Sequence, residues 1–188
     1  MNNLTNYLQT KNKQTCYGCR ACEQICPQKA ISVVADDEGF LYPVLNESAC
    51  INCGACKNSC PYDNSAKVLL PTAAYASQNT NKSQLLKSSS GGMFYPFAEK
   101  IISENGAVAG CVFDDEFNAK HILAEDLYGL EKMQGSKYVQ SDVQNVYEKI
   151  KTKLSQGQRV LFTGTPCQVS GLRSFLKKDY ENLITVDL

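Results

Sequence analysis

Residues 15–27 read TCYGCRACEQICP, and residues 49–61 repeat the same cysteine pattern as ACINCGACKNSCP. Each copy places three cysteines at i, i+3 and i+6, and a fourth cysteine followed by proline. Three thiolates in one tight loop can each ligate a different iron of one cubane cluster, and the fourth ligand must come from elsewhere. The spacing is typical of two [4Fe–4S] clusters. The predicted ligands are Cys16, Cys19, Cys22, Cys26, Cys50, Cys53, Cys56 and Cys60.

The fourth cysteine of each copy is expected to cross to the other cluster, as it does in two-cluster ferredoxins. The first cluster would then be held by Cys16, Cys19, Cys22 and Cys60, and the second by Cys50, Cys53, Cys56 and Cys26. The proline after each crossing cysteine stops the helix there. Small residues between the ligands allow backbone N–H groups to approach the sulfurs.

Zinc sites and disulfides are the alternative explanations for this cysteine density. Zinc sites use paired C-x₂-C knuckles and require neither a third cysteine three residues on nor the proline. A disulfide scaffold accompanies secretion, but residues 1–6 are polar and no signal peptide follows. No apolar run reaches the roughly 18 residues of a membrane span. The chain is therefore predicted to be a cytoplasmic iron–sulfur protein.

The composition suits a globular protein with no preference for polyanions. Of 188 residues, 43% are hydrophobic, which is enough for a packed core. Lys plus Arg and Asp plus Glu both number 19, so there is no net charge to favour nucleic acid as a partner.

The pattern divides the chain into three parts. Residues 1–65 form the two-cluster module, with a predicted hairpin of strands 31–34 and 40–44 joined by an acidic turn. Residues 66–87 are a linker or a strand leading into the next domain, for which residues 69–76 are the candidate. Residues 88–188 alternate helix and strand. The expected fold is an α+β ferredoxin-like module followed by an α/β domain with a mixed, partly parallel sheet.

The second domain is predicted from two amphipathic helices and four strands. One helix has apolar positions Phe94, Phe97, Ala98, Ile101 and Ile102; the other has Val143, Val146, Tyr147, Ile150 and Leu154 behind a Ser141 or Asp142 cap. Strands are predicted at 107–113, 119–124, 159–163 and 183–188, with a further helix at 166–178. The last unit is strand–helix–strand, which indicates parallel pairing. Because the chain stops in that strand, we expect a fragment of a longer protein.

Three motifs in this domain are candidates for ligand binding. Residues 88–94 place hydroxyls and two glycines at a helix start, which suits a phosphate or is only a serine cap. Residues 163–168 follow a predicted parallel strand, where α/β sheets bind ligands, or form a tight turn. Residues 135–138 offer a lysine beside a glycine turn, which by itself could be an exposed side chain.

The ordered motifs SSSGGMF, GSKYVQS and FTGTPCQ after a ferredoxin module resemble the beta subunits of coenzyme F-420-reducing hydrogenase and dehydrogenase. The resemblance covers essentially the whole chain and implies an iron–sulfur flavoprotein. It implies that an FAD lies near Ser89, Ser90, Gly91, Gly92 and Lys137, with Thr165 and Cys167 lining the same pocket. It also implies a redox partner protein or subunit, and a deazaflavin or other hydride carrier as a further partner. Many bacterial relatives occur where no deazaflavin is expected.

The remaining cysteines and the single histidine are assigned from their surroundings. Cys167 either ligates a further cluster or contacts the flavin, or is an inert thiol at a helix start. Cys111 lies in an apolar strand and is expected to pack in the core. His121 has no sequence partner for nucleophilic catalysis, which disfavours a hydrolase.

Two main functional hypotheses follow. In the first, the clusters relay single electrons to or from a flavin in the second domain, as part of a flavin-linked oxidoreductase. In the second, the chain is a ferredoxin-like carrier or docking subunit without a catalytic flavin. A redox sensor is a third and weaker hypothesis.

Overall fold

The computed structural model describes residues 7–64 and 70–188, and their contacts divide them into two units. The first unit comprises residues 7–64 together with Pro166–Asp179. The second unit comprises residues 70–165 together with Tyr180–Leu188. The chain therefore passes from the first unit to the second, returns to the first for one helix, and ends in the second.

A β-hairpin lies between the two cysteine motifs of the first unit. Strands β1 (Ile31–Ala35) and β2 (Leu41–Leu45) pair antiparallel, with Ile31 opposite Leu45. Asp36 begins the turn because its carboxylate accepts hydrogen bonds from the backbone N–H groups of Glu38 and Phe40. The hairpin predicted from the sequence is confirmed.

The first unit also has short helices before and within the cysteine motifs. Those before the first motif are α1 (Tyr7–Thr10) and a 3₁₀ helix (Lys13–Thr15), and those within the motifs are α2 (Ala21–Gln24) and α3 (Ala55–Asn58). The residue before α2 is Arg20 with φ 57°, and the residue before α3 is Gly54 with φ 71°. Both copies of the repeat thus reverse the chain through the left-handed region at the same motif position, and the sequence repeat is also a structural repeat.

One further helix, α8 (Pro166–Leu176), belongs to the first unit by its contacts, which include α2. Pro166 stands at the first helical position, where its missing N–H costs no hydrogen bond. The sequence predicted this helix but placed it within the span 88–188 of the second domain.

A mixed four-stranded sheet forms the centre of the described part of the second unit. Its strands are β3 (Ala107–Phe113), β4 (Ala119–Ala124), β5 (Val160–Gly164) and β6 (Leu183–Asp187), in the order β4-β3-β5-β6. Strands β3 and β4 pair antiparallel, whereas β5 pairs parallel with both β3 and β6. The predicted mixed, partly parallel sheet is confirmed.

Three helices pack their apolar sides against this sheet: α5 (Phe94–Ser103), α6 (Leu127–Met133) and α7 (Val146–Ser155). A short helix, α4 (Lys82–Leu86), precedes them and has no buried residue. All five apolar positions predicted around α7 are buried. The helix begins later than predicted, because Asp142 instead pairs with β4: its N–H donates to Ala119 O, and its carbonyl accepts from His121 N.

The predicted apolar face of α5 is partly wrong. Tyr95, Ala98 and Ile101 are buried in the core, whereas Phe97 is 57% exposed. Two overlapping apolar stripes fit the helical period in this segment, and the packing against β3 selects the one that contains Tyr95. The predicted strand at 69–76 is also wrong for residues 70–76, which form no strand; residue 69 lies outside the described residues.

His121 lies buried between β5 and the segment before α7. Its Nε2 is 3.0 Å from the carbonyl oxygen of Thr163, so Nε2 carries the proton. Ser141 Oγ lies 3.1 Å from Nδ1 and donates to it. Burial lowers the pKa of His121, although the Thr163 carbonyl and Asp142 oppose this effect. Ser141 is a partner that sequence reasoning missed, and both side chains are buried.

Because the pKa of His121 is lower in the folded chain, unfolding at mildly acidic pH should take up a proton. We expect the contribution of His121 to the free energy of unfolding to be fully present above about pH 6.5. It should be lost as the pH drops towards the pKa of His121 in the folded chain. His121 is the only histidine, so no other side chain with an ordinary pKa titrates in this window. Urea unfolding between pH 8 and pH 5 measures the effect. An equal pH dependence in His121→Asn would contradict it.

Candidate metal centre

The first cysteine set surrounds a cavity in the first unit. Cys16 and Cys19 lie in the loop before α2, and Cys22 lies on α2. Cys60 enters from the end of the second motif copy. The structure thus brings together the four cysteines that ligand crossing predicts for the first cluster.

The second cysteine set surrounds a separate cavity. Cys50 and Cys53 lie in the loop before α3, Cys56 lies on α3, and Cys26 enters from the end of the first copy. Among the described residues, no three Cys, His, Asp or Glu side chains are arranged to hold a single metal ion. The eight sulfurs instead face two voids in two sets of four. This fits two four-iron clusters with one thiolate per iron.

Backbone N–H groups point at the sulfurs, as the small residues in the motif led us to expect. Asn52 N lies 3.4 Å from Cys50 Sγ, and Ala30 N lies 3.4 Å from Cys26 Sγ. The backbone of Gly18 donates to Cys16 in the same way. Such bonds stabilise the negative charge on a cluster and tune its reduction potential.

Burial favours the protonated form of four of the eight thiols. Burial raises the pKa of Cys19 to about 12, and it raises the pKa of Cys16, Cys22 and Cys56 as well. Iron binds the thiolate rather than the thiol, so cluster assembly must displace these protons.

Charged and aromatic side chains surround the first cavity. Tyr7, Lys11 and Arg20 line it, and Asp63 binds the first two through its carboxylate. Sequence analysis did not identify this group. Its only signal was the closeness of Lys11 and Asp63 to Cys16 and Cys60 along the chain.

Two of the loops predicted to bind a flavin meet in the second unit. The backbone N–H of Ser136 donates to Ser89 Oγ at 2.9 Å. Gln134 Nε2 donates to Ser88 Oγ at 3.2 Å. The loop before α5 and the loop after α6 are therefore joined by hydrogen bonds, although nearly fifty residues separate them in sequence.

The glycines of the first loop are required by its geometry. A Cβ on Gly91 would lie 2.5 Å from the carbonyl oxygen of Ser77, so no larger residue fits there without a shift. Gly92 has φ 65° and Ser90 has φ 54°, both in the left-handed region. The loop thus takes a conformation that an ordinary serine cap does not need.

Lys137 is held by the carbonyl groups at the end of α6. Its ammonium lies 2.8 Å from Gln134 O, 2.9 Å from Met133 O and 3.0 Å from Gly135 O. Burial lowers the pKa of Lys137. This arrangement caps the helix with a cation, which the helix dipole favours.

The last two predicted flavin residues fall in different units. Thr165 follows β5 in the second unit, at the carboxyl end of a parallel strand. Cys167 lies on α8 in the first unit, where its Sγ is 4.0 Å from the carbonyl oxygen of Tyr17 in the first cysteine motif. Cys111 is half-buried on β3, opposite His121.

Comparison with known families identifies the first unit. Residues 15–64 match a family described as a 4Fe-4S dicluster domain, and residues 42–111 match a second family of the same description. The two matches overlap over residues 42–64, so they share the second cysteine motif rather than adding further clusters. The module is therefore an iron–sulfur, ferredoxin-like one with an electron-transfer role. No curated protein matches the chain. None of the described helices is long and apolar enough to cross a membrane.

Proposed function

We propose that this chain is part of a flavin-linked oxidoreductase, in which two [4Fe–4S] clusters relay electrons to or from an FAD in the second unit. The proposal includes membership of the coenzyme F-420 hydrogenase and dehydrogenase beta-subunit family and a cytoplasmic location. The partners would be a redox protein or subunit and a deazaflavin or other hydride carrier. The observation that carries the proposal is the Ser136–Ser89 hydrogen bond, which joins two of the three motifs of the resemblance.

The joined loops offer the groups that a flavin phosphate needs. The loop before α5 leads into a ten-residue helix, whose first N–H groups lack intrahelical partners. Ser90 and Gly92 turn this loop through the left-handed region, and Gly91 allows close approach of the backbone. Free N–H groups at a helix start suit an anionic group.

The protein groups in this proposal bind and orient the cofactor. Ser89 and Ser90 would donate hydroxyl hydrogen bonds, and Gly91 its backbone N–H group. Gly92 would shape the loop, since its own N–H donates to the Ser89 carbonyl at 3.3 Å. Lys137 would hold the second loop in place through its carbonyl contacts while keeping a positive charge beside it. Thr165, at the end of β5, would line the pocket, as the resemblance implies. A flavin supplies the exchange between one-electron and two-electron chemistry that iron–sulfur clusters alone lack.

The competing function is a ferredoxin-like carrier or docking subunit. One observation favours it: the Lys137 ammonium and the Ser89 hydroxyl already have partners within the protein. In that case the loop contacts serve only to pack the second unit, and the clusters exchange electrons directly with a partner protein.

Anaerobic titration with FAD and FMN, followed by flavin fluorescence, separates the two functions. The protein must first be shown by iron and sulfide analysis to carry its clusters. We expect FAD to bind and to bleach together with the clusters on reduction. Ser89→Ala removes one hydrogen bond and should weaken FAD binding roughly fivefold.

Ser103→Ala is the matched control, because Ser103 is an exposed serine at the end of α5 whose hydroxyl donates to the Lys100 carbonyl of its own helix. It should leave FAD affinity unchanged. If fully loaded protein binds neither flavin, the oxidoreductase proposal is wrong and the carrier is favoured.

A further inference from the structure

Lys11 is a buried cation beside the first cluster site. Its side chain is 9% exposed and lines the cavity that Cys16, Cys19, Cys22 and Cys60 surround. Its ammonium lies 4.8 Å from the ring centre of Tyr62 and 3.3 Å from the Asp63 carboxylate. Contact with an aromatic face and a carboxylate fixes the position of a side chain that is otherwise mobile at protein surfaces.

Lys11 and Tyr7 line the same cavity as Cys60, which is the crossing ligand that would complete the first set of four. The Tyr7 hydroxyl donates to the Asp63 carboxylate, which also accepts from the Lys11 ammonium. Lys11 therefore places a positive charge at the wall of the first cluster site.

The second cluster site has no such group. Among the described residues that line its cavity there is no Lys, Arg, Asp or Glu. Arg20, by contrast, adds a second cation to the lining of the first cavity, where it pairs with Glu23 at 3.0 Å. The two halves of the repeat are alike in cysteine spacing but differ in electrostatics.

We propose that Lys11 raises the reduction potential of the first cluster and so biases the electron towards it. Reduction adds one electron, and hence one negative charge, to the cluster. A nearby ammonium stabilises the reduced form more than the oxidised form, and burial limits its screening by solvent. Asp63 acts in the opposite direction, so the pair sets the potential together. The inference rests on the clusters and is independent of the flavin.

The test compares Lys11→Met with Lys13→Met in an anaerobic redox titration followed by EPR. Lys13 is the matched control: it lies in the same segment, pairs with Asp36 and has a 67% exposed side chain that does not line the cavity. Lys11→Met should lower the midpoint potential of one cluster and leave the midpoint potential of the other unchanged. Lys13→Met should leave both midpoint potentials unchanged.

Two further variants keep the test decisive if Lys11→Met loads its clusters poorly. Lys11→Arg retains the charge and should keep the potential near that of the unmodified protein. Asp63→Asn removes the opposing charge and should raise the potential of the same cluster. The proposal is overturned if Lys11→Met shifts neither cluster or both equally, or if Asp63→Asn lowers the potential. These measurements need no flavin, so their outcome does not depend on whether the proposed function is correct.

Discussion

Cys60→Ala should abolish the first cluster and leave the second one bound, although Cys60 lies in the second motif copy. Cys60 faces the cavity of Cys16, Cys19 and Cys22, and the loss of one thiolate leaves an iron of that cluster without its protein ligand. Iron and sulfide content should fall by about half, since each cluster contributes the same number of atoms.

The residual spectrum shows whether the ligands cross. Cys16→Ala removes a ligand of the first cluster, and Cys50→Ala removes a ligand of the second. With crossing, reduced Cys60→Ala protein gives the same EPR spectrum as Cys16→Ala. A spectrum that matches Cys50→Ala instead would show that each copy holds its own cluster. The comparison needs no prior assignment of either spectrum.

Phe162→Ala should cost about 3–5 kcal/mol of the free energy of unfolding, as expected for a fully buried aromatic side chain. Phe162 lies on β5 and is inaccessible to solvent. Its ring stacks on His121, with centroids 5.5 Å apart, and meets Tyr147 edge-on at 6.0 Å. Truncation leaves a cavity beside two buried rings, one on β4 and one on α7. Urea unfolding of cluster-loaded protein measures the loss.

Phe97→Ala is the matched control for this prediction. Phe97 is 57% exposed on α5, and alanine is the better helix former. We expect a change within about 0.5 kcal/mol, as for surface substitutions in general. A large loss in Phe97→Ala, or none in Phe162→Ala, would mean that the core lies elsewhere than described.

The local sequence pattern was sufficient to predict structural features that leave a visible hydrophobic period or cysteine spacing in the chain. The bounds of β3 and β4 were predicted to the residue, because Asp114 and the following turn separate two short apolar runs. The cysteine spacing, together with the ligand crossing of two-cluster ferredoxins, predicted which cysteines share a cavity. The strand bounds depend only on neighbours a few residues away.

Features that depend on distant neighbours could not be predicted in this way. The period of α8 gives its buried side but does not indicate that this side contacts α2. The pairing of His121 with Ser141 requires the antiparallel register of β3 and β4 and the return of the chain before α7. The sequence offered Lys137 as an exposed side chain or as a neighbour of the flavin, and it did not indicate the contacts with the end of α6, which form only when the loop closes on the helix.

Ligand crossing would have a consequence for how the N-terminal module folds. Within residues 7–64 the buried apolar side chains are few and small apart from Ile31, and two of them are the predicted ligands Cys19 and Cys56. Each cluster would join both motif copies, because one of the four cysteines at each cavity comes from the opposite copy. It would therefore act as a cross-link that closes a long loop. In residues 7–64 the clusters would thus supply stability that a hydrophobic core supplies in larger domains. The same groups would carry electrons and hold the fold together.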